Sequence, residues 1–236
     1  MGVETGLAAR VLAAYGGQSH WRAAKQITTR VSAKGAAFRM KWQAPMVGRE
    51  AVIDAHAPLV KFLPKPGDEV VEVFAGDEVR LERLDGTVIE ARSNPRRYFP
   101  GGRQLLWWDR LDQTYFAGYA LWNYVTFPAL LIRDDIEWTE VAVDALQATF
   151  PANFPTHSAQ QTFHVDPESN LVRQHDYTAA VFGGWAKAAH RVLRHEEVDG
   201  VPVGVRRRVT PRRGNGQPLP FPVLVDIEFE GTEFLA

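Results

Sequence analysis

Three neighbouring strands are predicted in residues 69–92, EVVEVFAGDEVRLERLDGTVIEAR. The period-two pattern of half-buried strands extends through residues 69–74, 78–84 and 87–92. Between the last two strands, Asp85-Gly86 is a dipeptide that favours a tight hairpin turn. This part of the chain is therefore predicted to form an antiparallel meander.

The same pattern extends in both directions from this meander. A strand is predicted over residues 27–33, and a second where Phe38, Met40 and Trp42 alternate with polar residues. Asp199-Gly200 marks a further hairpin. The remaining predicted strands are residues 47–56, 59–63, 136–143, 146–150, 156–165, 171–180, 186–198, 201–209 and 223–229.

Two helical segments interrupt the strands. Residues 4–16 are predicted to form an amphipathic helix with Leu7 and Val11 on its apolar face, and Gly16-Gly17 supplies the stop. Residues 104–132 are rich in Leu, Trp and Tyr at helical spacing, with apolar residues on most faces. A helix of that kind is usually buried on more than one side.

The predicted architecture is mainly β, with one domain spanning residues 1–236. A sheet of about ten strands must curl, because strands twist and flat sheets of that size are rare. We expect a half-open barrel built from strands in residues 27–92 and 136–230. The helix at residues 4–16 and a helical lid at residues 104–132 would close it, and such an arrangement encloses a lumen suited to a small molecule.

Composition excludes several classes of function. The chain has 27 Lys and Arg against 28 Asp and Glu, a formal net charge of -1, whereas nucleic-acid-binding domains usually carry a basic excess. Cys is absent, which excludes disulfides, thiolate catalysis and iron–sulfur clusters. The sequence contains no phosphate-loop, dinucleotide-binding or nucleophile-elbow motif. We therefore expect no cofactor and no nucleic acid partner.

The sequence also indicates where in the cell the protein is expected and whether it spans a membrane. Glu4 and Arg10 interrupt the start of the chain, where a secretory signal needs an unbroken apolar run, so a cytoplasmic location is expected. The most apolar stretch, residues 121–132, is shorter than the roughly 20 residues that a spanning helix requires. No membrane span is expected.

Histidines in the second half of the chain are the candidates for chemistry. His157, His190 and Tyr177, together with Asp176, form the most promising polar group if the strand register brings them together. An imidazole facing an apolar cavity can move protons, and a tyrosine can donate to a developing oxyanion. The alternative to catalysis is that these residues hold strands together or orient a ligand. Alternation along strands predicts that His190 and His195 point in opposite directions.

The histidines do not resemble a metal site. There is no HExxH, no His-x-His and no carboxylate triad, so no metal is expected. The dense basic run of residues 206–213 is interpreted as a solvated edge, with anion or anionic-membrane binding as the alternative.

Aromatic residues of the mid-chain segment are the candidates for ligand contact. Large rings bury much area, and Tyr or Trp keeps a polar atom that can meet a ligand. The alternative is core packing beneath the sheet. The candidate ligand-binding residues are Trp108, Tyr115, Tyr119, Trp122, Asn123 and Trp42.

The layout resembles a known superfamily. An opening helix that ends in Tyr15-Gly16-Gly17, Trp21 shortly afterwards, the meander from Ile27 and the mid-chain apolar helices are similar to the half-open barrels of the LolA, LolB, LppX and VioE type. The stretch YFAGYALWNY, residues 115–124, is similar to one in a group of uncharacterised bacterial proteins. The resemblance implies a half-open barrel. Members of this superfamily carry lipids or lipoproteins, and one is a biosynthetic enzyme.

Two functions follow as hypotheses. The first is a soluble binding or carrier protein that holds an apolar small molecule, aromatic or isoprenoid-like, in the lumen. The second is a cofactor-independent lyase, cyclase or hydrolase that uses the His and Tyr side chains for acid–base chemistry. A third alternative is a scaffold whose lumen is filled by its own side chains.

Overall fold

The computed structural model of this protein describes residues 5–236. The helices in this range are α1 (Gly6–Ala14), α2 (Gly17–Ala23), α3 (Ala36–Met40), α4 (Arg110–Val125) and α5 (Phe127–Leu130). The strands are β1 (Gln26–Lys34), β2 (Met46–Asp54), β3 (Leu59–Phe62), β4 (Val70–Ala75), β5 (Glu78–Arg83), β6 (Val88–Ser93), β7 (Glu137–Ala142), β8 (Ala145–Thr149), β9 (Gln160–Val165), β10 (Val172–Thr178), β11 (Lys187–Val198), β12 (Val201–Pro211) and β13 (Val225–Leu235).

All thirteen strands of the described residues belong to one antiparallel sheet. Its order is β6-β5-β4-β3-β2-β1-β13-β12-β11-β10-β9-β8-β7. Consecutive strands pair with each other except β6 and β7, and β1 also pairs with β13, which joins the first and last strands. The sheet is not closed, because β6 and β7 remain at its edges. The predicted fold class, a mainly β protein with a half-open antiparallel sheet, is confirmed.

Helix α4 lies in the connection between the two edge strands, β6 and β7, and is anchored at its start. Asp109 accepts a hydrogen bond from the backbone N–H of Asp112, whose carboxylate accepts one from the N–H of Asp109 in return. This capping box satisfies two donors that a helix start leaves free. Arg92 of β6 donates to Asp109 at 2.6 Å, which ties the helix start to the sheet. The predicted helical lid therefore exists, although its α-helix begins at Arg110 rather than at residue 104.

Helix α4 also packs closely against β4. A Cβ atom at Gly118 would overlap the side chain of Phe74, so glycine is required at this crossing. Phe74 and Tyr115 are in ring contact beside it, with centroids 6.0 Å apart.

The predicted first helix is two helices. Gly16 has a φ of 91°, a left-handed conformation that ends α1, and α2 follows at once. Trp21 of α2 donates its indole N–H to the Tyr15 carbonyl at 2.7 Å, which fixes the bend. Glu4, the first residue of the predicted helix, lies outside the described residues.

One predicted strand is wrong. Residues 36–40 form the short helix α3, although Phe38, Met40 and Trp42 alternate with polar residues. The backbone N–H groups of Ala36 and Ala37 donate to the carbonyls of Val223 and Leu224, far along the chain. Those distant partners outweigh the local alternation.

Candidate functional site

A cavity of about 200 Å³ lies between α4 and the centre of the sheet. Val31 of β1, Val209 of β12 and Phe229 of β13 form part of its floor, and α4 contributes Phe116 and Ala120. Alternation along the strands turns every second residue towards this space. Its walls are almost wholly apolar, so the cavity suits a ligand with an apolar body.

Three polar side chains meet in the wall of this cavity. They are Tyr124 of α4, Tyr177 of β10, and His157, which precedes β9 in the chain. The Tyr124 hydroxyl lies 2.7 Å from Nε2 of His157 and 3.0 Å from the Tyr177 hydroxyl. The His157 ring stacks on that of Tyr177, with centroids 3.9 Å apart and planes at 5°. We call these three residues the Tyr–His–Tyr group.

His157 lies in the loop before β9, not in a strand as predicted. Arg96 holds this loop by donating to the carbonyls of Thr156 at 2.9 Å and His157 at 3.0 Å. The strand predicted from residue 156 begins only at Gln160. The side chain thus reaches the cavity because an arginine from a distant loop positions its backbone.

Two further imidazoles lie behind the Tyr–His–Tyr group. His175 of β10 and His190 of β11 are paired across the strands, and Nε2 of His175 lies 2.6 Å from Oε1 of Gln161. The His190 ring packs edge-on against Tyr124 at 4.3 Å, yet neither of its ring nitrogens has a hydrogen-bond partner. The predicted convergence of His157, Tyr177 and His190 in one buried region is therefore observed.

Burial keeps this region uncharged at neutral pH. Removal from water lowers the pKa of His157, His175 and His190 well below the usual value for histidine. The same cause raises the pKa of Tyr124 and of Tyr177 above that of a free tyrosine. Neutral imidazoles and protonated phenols can donate and accept hydrogen bonds without a charge being buried.

Arg207 of β12 is a buried charged residue in contact with this region. Its guanidinium donates to the Tyr124 carbonyl at 3.0 Å and to the Gly204 carbonyl at 2.8 Å. It also lies over the Tyr124 ring, with the guanidinium carbon 5.5 Å from the centroid. Arg207 therefore positions the end of α4, and its charge further lowers the pKa of His190 after the larger effect of burial.

Asp176 does not belong to this group. It follows His175 on β10 and so points to the opposite face of the sheet. There its carboxylate lies 3.0 Å from Nε2 of His164 and 3.5 Å from Arg212. The hypothesis that placed Asp176 beside His157 is wrong in its geometry, since strand alternation separates them.

His195 corrects a second expectation about faces. Its Nε2 lies 3.1 Å from the hydroxyl of Tyr15, beneath the first helix. His190 and His195 both face the helices because the β11–β12 register shifts between them, on either side of Arg194. Such a bulge resets the alternation from which opposite directions were predicted.

Two of the predicted ligand-binding residues lie at or next to the cavity. Trp108 lines it and donates its indole N–H to the Gln104 carbonyl at 3.1 Å. Tyr119 is fully buried behind the lining, with its hydroxyl 3.4 Å from Nδ1 of His157.

The other four predicted ligand-binding residues do not line this cavity. Tyr115 lines a separate space near the loop before β9. Trp122 is fully buried and donates to the Asp54 carbonyl at 2.9 Å. Asn123 donates to two backbone carbonyls, one of them that of Tyr119. Trp42 is 83% exposed.

Tyr124 is the residue that sequence reasoning did not single out. It follows Ala117, Ala120 and Leu121 at the i, i+3, i+4, i+7 spacing of one helix face, and all four line the cavity. That spacing was the available signal. For Arg96 and Gln161 the sequence offers none, because their contacts depend on loops and register.

Within residues 5–236, no set of three or more His, Cys, Asp or Glu side chains is arranged to hold a metal ion. Among the helices of that range, none combines the length and apolar character needed to cross a membrane.

Comparison with known proteins finds similar folds only. No family model and no curated protein matches the sequence. A DUF1329 family protein from Desulfovibrio piger is similar over 98% of this chain and 94% of its own, with 11% identity and a TM-score of 0.48. A LolA superfamily protein from Nitrosomonas europaea is similar over 97% and 94%, with 8% identity and a TM-score of 0.49.

A third similar structure is an outer membrane lipoprotein-sorting protein domain from Vibrio parahaemolyticus. It matches over 97% of this chain and 90% of its own, with 9% identity and a TM-score of 0.47. All three similarities are of fold alone, at sequence identities of 8–11%.

Proposed function

We propose that this protein binds an apolar small molecule, aromatic or isoprenoid-like, in the cavity beneath α4. The observation that carries the proposal is an apolar space of about 200 Å³ with the Tyr–His–Tyr group in its wall. An apolar cavity of about 150 Å³ accommodates benzene, so this one has room for a somewhat larger molecule. A mostly apolar pocket with a few convergent polar groups is the usual form of a ligand site.

The Tyr–His–Tyr group gives the ligand an orientation. At pH 7 its two hydroxyls are protonated and its imidazole is neutral. These groups suit a hydroxyl or carbonyl oxygen of the ligand rather than an ion. Burial of about 250 Å² of apolar ligand surface contributes about 6 kcal/mol before the cost of association. Since about 6 kcal/mol corresponds to a dissociation constant of about 40 μM and association lowers this gain, we expect dissociation constants from tens of micromolar to millimolar.

A titration with the fluorescent probe N-phenyl-1-naphthylamine tests the cavity directly. Ala120 lines the cavity from α4, and Ala120→Phe would fill part of the space. The matched control is Ala91→Phe, on the exposed surface of β6. Saturable binding that weakens at least tenfold in Ala120→Phe and is unchanged in Ala91→Phe supports the proposal. Equal binding by both variants, with circular dichroism showing both folded, contradicts it.

Catalysis without a cofactor is the second candidate, and one contact favours it. Nε2 of His157 lies 2.7 Å from the Tyr124 hydroxyl at the cavity wall, the arrangement of an acid–base pair. Burial moves the pKa values of both groups away from neutrality, which weakens them as acid and base at pH 7. For that reason binding is the first proposal.

Native mass spectrometry separates the two functions. Molecules that copurify with the wild-type protein are compared with those from His157→Gln, which keeps a polar group at this position. A binding protein retains the same molecule in both. An enzyme retains product or nothing in the wild type and accumulates unconverted substrate, of a different mass, in the variant.

A further inference from the structure

Most exposed aromatic side chains belong to chain segments that also contribute to the cavity lining. Trp42, Trp107, Trp185 and Phe221 are 83%, 45%, 72% and 77% exposed. Apart from Tyr98, no other Trp, Phe or Tyr in residues 5–236 is exposed. Scattered exposed apolar residues need no explanation, but a cluster of large ones marks an interaction site.

Four segments bring these aromatic residues together, and we call them the rim: residues 35–45, 98–108, 179–187 and 210–224. Trp185 lines the cavity as well as being exposed, so it marks the opening. Lys41 joins the first two segments by donating to the Leu105 carbonyl at 2.8 Å. Its ammonium also lies 5.2 Å from the centroid of Phe182 in the third segment.

The fourth segment is held against the first by the backbone. The N–H of Ala36 donates to the Val223 carbonyl at 3.0 Å, two residues beyond Phe221. Within the first segment, Trp42 has a φ of 58°, a left-handed conformation that is rare for a bulky residue. Trp42 therefore combines an unfavourable backbone conformation with an indole that lies in solvent.

The rim is also uniformly basic. Its four segments contain no Asp or Glu, although the chain has 28 acidic residues, and they contain Arg39, Lys41, Arg103, Lys187, Arg212 and Arg213. Of these, Arg39, Lys187 and Arg213 are exposed and form no ion pair with another residue in the described range 5–236. A chain with a net charge of -1 therefore presents a local cationic surface around the mouth of the cavity.

We propose that the rim docks on a lipid bilayer that carries anionic headgroups, with the cavity opening towards the acyl chains. Trp is the residue type that favours the membrane–water interface, and clustered Lys and Arg are attracted to anionic lipid. A second copy of the chain is the weaker occupant, because a symmetric dimer through the rim would oppose two cationic surfaces. Docking goes beyond the proposed ligand binding and does not depend on an occupied cavity.

Flotation of the purified chain with vesicles tests the apolar part of the rim. The vesicles are phosphatidylcholine alone, or phosphatidylcholine with about a third phosphatidylglycerol. The variant Trp42→Ala/Trp185→Ala removes two exposed indoles. Leu84→Ala/Val143→Ala, at positions 70% and 88% exposed outside the rim, is the matched control. We expect the indole variant to bind anionic vesicles at least tenfold more weakly and the control to bind like wild type.

A second pair of variants tests the charge. Each Lys or Arg at an anionic surface contributes about fivefold in affinity, so replacing the three exposed cations by Gln should cost about 100-fold. A control with the same loss of net charge replaces exposed cations elsewhere. The test set is Arg39→Gln/Lys187→Gln/Arg213→Gln, and the control set is Arg10→Gln/Lys65→Gln/Arg83→Gln.

The outcomes separate the alternatives. Binding to anionic vesicles that falls with salt and is lost in both rim variants, but not in the controls, supports docking. Absence of flotation at low salt overturns it, as does an equal effect of rim and control variants. A concentration-dependent dimer that only Trp42→Ala/Trp185→Ala abolishes, without vesicle binding, assigns the rim to a second copy and also overturns it. Flotation does not use the fluorescent probe of the cavity titration. Docking and ligand binding can therefore fail independently of each other.

Discussion

Mild acid should destabilise this protein, because three imidazoles are buried in their neutral form. His157, His175 and His190 are each at most 4% exposed, and burial lowers the pKa of all three well below 6.5. The unfolded chain takes up protons on these residues near their ordinary pKa of about 6.5, whereas the folded chain does not. The free energy of unfolding is therefore independent of these groups above that pH and falls as the pH drops below it.

The magnitude follows from proton linkage. At pH 5.5, one unit below the unfolded pKa, each such histidine costs about 1.4 kcal/mol, so three cost about 4 kcal/mol. His195, whose pKa burial lowers to about 4, adds to the loss in the same direction. Asp112 acts in the opposite direction, since burial raises its pKa, but one carboxyl group does not cancel three imidazoles. A domain is typically stable by about 5–15 kcal/mol, so much of the stability would be lost.

Urea unfolding followed by circular dichroism at pH 7.5, 6.5 and 5.5 measures this loss. His190→Leu provides the sharpest variant, because both His190 nitrogens are buried without a partner. The substitution should reduce the loss by about a quarter to a third and raise stability at pH 7.5 by about 1–3 kcal/mol. His56→Leu, at an exposed position, is the control. Stability that is constant within about 1 kcal/mol from pH 7.5 to 5.5 would refute the reasoning.

Three further substitutions have defined expected effects. Tyr124→Phe leaves a buried imidazole nitrogen without its partner and should lower the free energy of unfolding in urea by about 1–3 kcal/mol. Gly118→Ala brings a methyl group into Phe74 and should destabilise by about 1–3 kcal/mol on thermal unfolding, more than its gain in helix propensity. Arg207→Met removes a nearby positive charge and should raise the pKa of His195 from about 4 in an NMR titration, although burial keeps it below 6.5.

Each of these has an outcome that contradicts it. An unchanged urea midpoint in Tyr124→Phe would mean that the His157 nitrogen finds another partner, and a more stable Gly118→Ala would mean that α4 moves away from β4 at little cost. For Arg207→Met, the control is Arg194→Met, whose guanidinium is half exposed and paired with Glu196 and Glu228. An equal shift of the His195 pKa in both variants would contradict the assigned cause.

Local chemistry explains what the sequence predicted correctly. Asp85-Gly86 and Asp199-Gly200 specify tight turns by themselves, and strands β5–β6 and β11–β12 pair across them as expected. The Tyr–His–Tyr group was predictable in part, because Tyr177 lies on a strand. His157 was placed on the wrong kind of element, and its position depends on hydrogen bonds from Arg96, 61 residues away in sequence.

The failures have one physical origin, which is long-range contacts that override a local pattern. Alternation in residues 38–42 resembled a strand, but backbone hydrogen bonds from Ala36 and Ala37 to a distant segment hold a helical turn there. Alternation along β11 also misassigned the face of His195, because a register shift near Arg194 cannot be read from side-chain types. Sequence periodicity predicts elements well here, and faces only where no bulge intervenes.

The electrostatics of the cavity and of the rim suit two different roles, ligand binding inside and membrane docking outside. Inside, burial keeps His157 and the tyrosines uncharged, so an apolar molecule can enter without separating an ion pair. Outside, Arg39, Lys187 and Arg213 form no ion pair within residues 5–236 and lie in solvent, where their charge can act on a partner surface without a desolvation cost until contact. If the rim docks on anionic lipid, the neutral cavity is the continuation of the acyl-chain region into the protein. Charge at the mouth would then set where the protein binds, while the shape of the cavity selects what it holds.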